Sequence, residues 1–116
     1  MANKVSDISE DDVRKVFLHL SRLFEDDVKK NLHVQEIKTE IIGLYEIKIT
    51  VKKDIFTRDE VNFLFSLINS QYVKKRLKIK ISFFTNIKDF SKGGVEITIV
   101  PKPQLISYFV KRLKYY

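Results

Sequence analysis

The sequence predicts an α+β domain in the order α-ββ-α-ββ-α, with a four-stranded, mainly antiparallel sheet carrying its helices packed on one face. Three observations predict it. Apolar residues recur at three- and four-residue spacing in three separate stretches, and alternate with polar ones over 34–52, 73–83 and 95–99, so the period switches between that of a helix and that of a strand. Two of the helical stretches open on capping sequences, Ser9-Glu10-Asp11-Asp12 and Thr57-Arg58-Asp59-Glu60. The chain has 116 residues, 44% of them apolar, with nine Phe and fourteen Ile, enough for one packed core and against disorder. One domain over 1–116 follows, with 1–8 as a flexible polar lead.

The first helix is expected over about 9–31. Val13, Val16, Phe17, Leu20, Leu23, Phe24 and Val28 form its apolar stripe, acidic residues occupy its first turn, and Lys29-Lys30 suit its C-terminal end. Arg22 with Asp26, and Asp26 with Lys30, have the i,i+4 spacing of ion pairs on the wet side, where His19 also falls beside Lys15 and Arg22. Next comes a hairpin about Gly43, with Ile37, Thr39, Ile41, Tyr45, Ile47, Ile49 and Val51 on one face. Keeping the odd residues on one face pairs Ile41 with Tyr45 and Thr39 with Ile47, which would set Glu40 opposite Glu46 and Lys38 opposite Lys48. Like charges opposite one another are unfavourable, so a bulge or wide loop near Gly43 is expected to bring Glu and Lys into diagonal contact instead.

The second helix should run from Thr57 to the polar residues at 69–71, with Val61, Leu64, Phe65, Ile68 and Tyr72 on its stripe and Phe63 and Leu67 widening it, and should be more buried than the first. A strand from Val73 to Phe83 follows, with Leu77, Ile79, Ile81 and Phe83 inward. The loop 86–94 ends in Gly93-Gly94, read as supplying unusual backbone angles. Val95, Ile97 and Ile99 then form a strand pairing with the previous one. Pro103 suits the first turn of a last helix, whose stripe is Leu105, Ile106, Phe109, Val110 and Leu113. The expected core is Leu20, Phe24, Ile47, Ile49, Leu64, Ile68, Ile79, Ile81, Ile97, Phe109 and Leu113.

The net charge of +7 is unevenly spread: residues 1–60 hold eleven Lys/Arg and thirteen Asp/Glu, whereas 61–116 hold eleven Lys/Arg against Asp89 and Glu96, a net +9. Charge of this kind governs partners rather than fold. Its sharpest expression is the strand after the second helix, where Lys74, Arg76, Lys78 and Lys80 would line one face and Lys75 adds to the charge. Cations at roughly 7 Å spacing can follow phosphates, each contact releasing counterion. Lys111, Arg112 and Lys114 are candidates to join them, and Phe84, Phe90, Tyr108, Tyr115 and Tyr116 lie near in sequence as stacking groups. Lysines on an edge strand also serve simply to prevent sheet association.

The reading is a non-enzymatic basic domain that binds nucleic acid or another polyanion without base specificity, having no recognition-helix or GxxG signature. Its partner is nucleic acid or an acidic protein. The alternative is a protein-interaction module, with a homodimer between acidic and basic halves or through Tyr115-Tyr116. A second alternative rests on Glu46-Ile47-Lys48, which resembles the ExK half of a nuclease motif in which a carboxylate holds Mg²⁺ and a lysine orients water. The aspartate of a preceding strand is missing, and only Glu36 or Glu40 would stand in for it. Neither His19 nor His33 has metal-ligand spacing, so no metal or cofactor is expected. The last helix has an apolar stripe beside cations, as in a membrane-surface helix, but docking on the sheet explains the same stripe. Without cysteine, disulfides and thiolate chemistry are excluded. With no apolar span and no leader, a cytoplasmic, intracellular protein is expected, and the Lys and Ile richness suggests an AT-rich source such as a virus or mobile element.

Overall fold

Both expected caps start their helices in the computed structural model, which describes residues 9–70, 75–85 and 93–114. In α1 (Glu10–Asn31) the Ser9 hydroxyl accepts from the Asp12 N–H at 3.1 Å while the Ser9 N–H donates to the Asp12 carboxylate. In α2 (Arg58–Asn69) Thr57 and Glu60 make the same reciprocal pair. Between and after them lie β1 (Glu36–Ile42), β2 (Glu46–Lys52), β3 (Leu77–Thr85) and β4 (Gly93–Pro101), and α3 (Pro103–Lys114) opens on its proline as expected. The order is α-ββ-α-ββ-α. The expected flexible lead, 1–8, lies outside the described residues.

The four strands form one antiparallel sheet in the order β1-β2-β4-β3. The second hairpin thus slots its returning strand against β2 and leaves β1 and β3 at the two edges. Odd-numbered residues along the strands point to the helix layer. Ile47, Ile49 and Val51 of β2 and Val95, Ile97 and Ile99 of β4 are fully buried there, against Val16, Phe17, Leu20 and Val28 of α1, Leu64 of α2, and Leu105 and Val110 of α3. The central strands are the most buried because a neighbour flanks each on both sides. Each such side chain contributes about 1.5–3 kcal/mol through removal from water.

The register of the first hairpin shows how the charge conflict is avoided. Gly43, at φ +60°, opens a three-residue turn through Leu44 and Tyr45, and Ile41 faces Ile47 rather than Tyr45. Glu40 therefore lies opposite Lys48 and Glu36 opposite Lys52. The expected bulge or wide loop is not what resolves the conflict: the three-residue turn sits at 43–45 instead of 42–44, the Glu–Lys pairing is direct rather than diagonal, and Tyr45 leaves the strand for solvent.

Several expectations are corrected. The basic strand begins at Leu77, because Lys75 and Arg76 have helical backbone; Arg76 precedes the strand instead of belonging to its outer face. Gly93 and Gly94 are strand residues without positive φ. They are needed for space: a Cβ at Gly94 would collide with the Val51 carbonyl and sit 2.6 Å from the Phe84 ring, and one at Gly93 would lie 2.8 Å from the Phe84 carbonyl oxygen. α2 is less buried than α1, since it packs beside an edge strand and turns Glu60, Phe63, Leu64 and Leu67 inward while Phe65 stays 56% exposed. Ile68 is only half-buried and lies outside the core cluster, and Leu23 is exposed. His19 is not on the wet face; its ring is 5.7 Å from that of Phe109 on α3. The ion pairs of α1 are Arg14–Glu10 and Lys29–Glu25, both 2.9 Å, in place of the expected Arg22–Asp26 and Asp26–Lys30. The side chain of Leu113 lies outside the described residues.

Candidate nucleic-acid interface

Even-numbered residues of the strands form the face turned away from the helices, and the registers arrange them in rows. One row runs Glu40, Lys48, Thr98, Lys80, and the next Lys38, Thr50, Glu96, Ser82. On the β1 side of this face acid and base are matched. Lys52 reaches Glu36 at 3.0 Å, Lys48 reaches Glu96 at 3.4 Å and Lys38 reaches Glu40 at 3.8 Å.

The β3 side is different. Lys78 lies opposite Val100 and Lys80 opposite Thr98, so both face neutral neighbours. β3 itself carries no carboxylate, and Glu96, the acidic residue on β4, is engaged by Lys48. Lys78 and Lys80 are exposed and form no ion pair among the described residues, and the same holds for exposed Lys75 and Arg76 just before the strand. Alternation continues the column through Ser82 to Phe84, whose ring lies over Gly94 on the same face. Four cations with no carboxylate partner among the described residues, at one end of an edge strand with an aromatic at the other, make a short positive rim. Exposed ammonium groups keep their hydration and are ready to exchange it for phosphate oxygens.

Of the remaining candidates, Lys74, Phe90, Tyr115 and Tyr116 lie outside the described residues, as does the side chain of Lys114. Lys111 and Arg112 are exposed but belong to α3, on the helix side of the sheet, so they do not extend the Lys78–Lys80 column. Arg112 donates to the Tyr108 hydroxyl at 2.9 Å and stacks 5.6 Å over its ring. Tyr108 in turn meets Phe109 edge to face, which takes it out of the set of free stacking groups.

Glu46 and Lys48 do share the open face, as their spacing requires. Lys48 is held by Glu96, and Glu40 is its cross-strand neighbour on β1. Among the described residues no three His, Asp or Glu side chains converge as metal ligands. His33 is exposed; its backbone, not its ring, is used, donating N–H to Glu60 and accepting from Lys53.

That backbone contact belongs to a polar cluster whose extent is hidden in the sequence. Glu60, 2% exposed, accepts from the N–H groups of Thr57 and His33, both at 2.8 Å, and pairs with Lys53 at 3.0 Å. Lys53 also donates to the His33 carbonyl at 2.7 Å and lies over the Phe56 ring. Burial alone would raise the Glu60 pKa; the two backbone N–H donors, with Lys53 and the Thr57 hydroxyl, outweigh it and hold the carboxyl at about 2. With both oxygens engaged, this carboxylate locks the α1–β1 connection to the start of α2. It is a structural lock. Its capping role was legible in Thr57-x-x-Glu60, but nothing local marks His33 and Lys53 as its partners.

No helix among the described residues is long and apolar enough to cross a membrane. Compared with protein-family models, with curated proteins and with solved structures, the chain matches none.

Proposed function

We propose that this protein is a non-enzymatic basic domain that holds a polyanion, nucleic acid foremost, along the β3 edge through Lys75, Arg76, Lys78 and Lys80. The observation that carries the reading is the contrast across one sheet face: the β1 side matches each lysine with a carboxylate, while the β3 side leaves its lysines unmatched. Surface charge without a partner raises the local anion concentration and speeds encounter with a chain of phosphates. Contacts of this kind go to the backbone of the nucleic acid and read no sequence. Lys74, Lys111, Arg112 and Lys114 remain auxiliary candidates; a polyanion touching Lys111 as well as Lys78 and Lys80 would have to pass around the sheet edge.

The competing reading is a protein-interaction module, with an acidic protein or a second copy as partner. On that reading the unpaired lysines of β3, an edge strand, serve to discourage strand addition instead of holding phosphates. Electrophoretic mobility shift with duplex and single-stranded oligonucleotides, run beside light scattering, separates the two. A shift at low salt that weakens in Lys78→Glu/Lys80→Glu supports polyanion binding. No shift, with a defined complex of protein alone or with an acidic partner, supports the interaction module.

A further inference from the structure

The two edges of the sheet differ in whether a second copy of the chain can be added to them. Strand β1 runs seven residues, Glu36–Ile42, and its midpoint is Thr39. Its outer edge receives no backbone hydrogen bond from any described segment. Placing a two-fold axis through Thr39 pairs β1 antiparallel with itself along its full length. Lys38 then lies opposite Glu40 of the second copy, and Glu40 opposite Lys38, on the open face. On the helix side Ile37 meets Ile41, both half-buried at the margin of the core. Opposite charges and β-branched pairs directly across a strand pair are each favourable. The same operation on β3, a two-fold through its midpoint Ile81, pairs Lys78 with Phe84 and Lys80 with Ser82 and gains no opposite-charge pair, while an axis through Ile79 sets Lys78 against Lys80 twice. One edge is self-complementary in charge and the other is not.

Thr39 adds a second observation. Its hydroxyl is buried and has no hydrogen-bond partner. The Glu25 carboxylate lies nearby and is held below its ordinary range chiefly by its hydrogen bond from Lys29. At the two-fold, Thr39 would face its own symmetry mate, and a change of χ1 well lets one hydroxyl donate to the other.

We infer that the protein forms a two-fold homodimer through β1, with Thr39 on the axis and Lys38–Glu40 pairs on either side, giving one continuous eight-stranded sheet. An isologous contact of this kind closes on itself and leaves both β3 edges at the outer ends. Strand β1 is the edge opposite the one assigned to the polyanion, so the dimer stands or falls without that assignment.

The test uses two charge reversals at exposed or half-exposed positions, so that the core is left intact. Lys38→Glu sets carboxylate against carboxylate across the axis, and Glu40→Lys sets ammonium against ammonium. Each variant alone should dissociate at least about tenfold more readily than the unaltered protein. Mixed together, they should form a heterodimer, because one copy then carries acid at both positions 38 and 40 and the other carries base at both. Sedimentation equilibrium, with circular dichroism confirming that each variant is folded, reads the masses against the 13.7 kDa monomer. A dimer weakened in each variant and restored on mixing supports the inference. A monomer up to millimolar concentration overturns it, as does a dimer indifferent to both substitutions or one abolished by Lys78→Glu instead.

Discussion

Phe84 and Gly94 are cross-strand partners, and the Phe84 ring occupies the space above the Gly94 Cα where a Cβ would stand. An aromatic ring laid over a strand glycine removes both the glycine's exposed backbone and part of its own surface from water. The absence of a side chain at 94 is also required from the other side, where the Val51 carbonyl closes in. Gly94→Ala should therefore destabilise the fold by about 2 kcal/mol or more, a strain that backbone movement relieves only by opening the β2–β4 ladder. Urea unfolding followed by circular dichroism checks it. Phe84→Ala should cost less, about 1 kcal/mol, since it uncovers the glycine without forcing a collision.

Glu60 should dominate the acid limb of the stability curve. Its carboxyl titrates near 4.5 when unfolded and at about 2 when folded, so the unfolded state takes up the proton first. The stability it supplies is complete above about pH 5 and is lost as pH falls through 4.5 toward 2. A shift of this size corresponds to about 3 kcal/mol at neutral pH. Glu60→Gln should reduce stability at pH 7 by a comparable amount, leaving Lys53 without its charge partner, and should flatten the pH dependence in the acid range. Denaturant midpoints from acid to neutral pH for both proteins measure this.

Removing the acid at the centre of the open face should strengthen anion binding. Glu96→Gln frees the Lys48 ammonium, which shares a row with Lys80, while the half-exposed Lys48–Glu96 pair itself contributes no more than about 1 kcal/mol to stability. Affinity for an oligonucleotide, measured by fluorescence anisotropy at low salt, should rise, with the unfolding midpoint nearly unchanged.

The hairpin turn supplies an independent check on the register. Gly43 has φ +60°, and a Cβ there would also lie 2.9 Å from the Tyr45 ring. Gly43→Ala should cost about 1–2 kcal/mol. The like-charge register would place the three-residue turn at 42–44 instead of 43–45, and Gly43 as the first turn residue holds the turn where Glu40 faces Lys48; denaturant unfolding of Gly43→Ala measures the cost.

The architecture was legible because its signals are local. Ser9–Asp12 and Thr57–Glu60 announce helix starts, the alternation at 47–51 and 95–99 announces the two central strands, and Pro103 announces the last helix. What was not legible depends on contacts across the chain. Phe65 fits the helical period of α2 as well as Phe63 does, and only the placement of α2 beside an edge strand decides which one is covered. His19 reads as a surface residue until α3 brings Phe109 against it. Gly93-Gly94 looks like a loop signal because sequence shows flexibility but not the nearness of Val51 and Phe84. The candidate site was half legible: the lysines at 78 and 80 were readable as a column, while their lack of carboxylate neighbours follows from the β1-β2-β4-β3 order, which gives Glu96 to Lys48.

The salt dependence of polyanion binding tests the central proposal most directly. Four exposed cations, Lys75, Arg76, Lys78 and Lys80, each neutralising one phosphate of a duplex, should make the logarithm of the binding constant fall with the logarithm of salt concentration at a slope of about −3.6. Lys78→Glu/Lys80→Glu should halve the slope to about −1.8 or less and weaken binding, whereas Lys15→Glu, exposed on α1 in the helix layer, should leave both largely unchanged. A slope near zero, or one that persists unaltered when Lys78 and Lys80 are reversed, would contradict the assignment of the β3 edge.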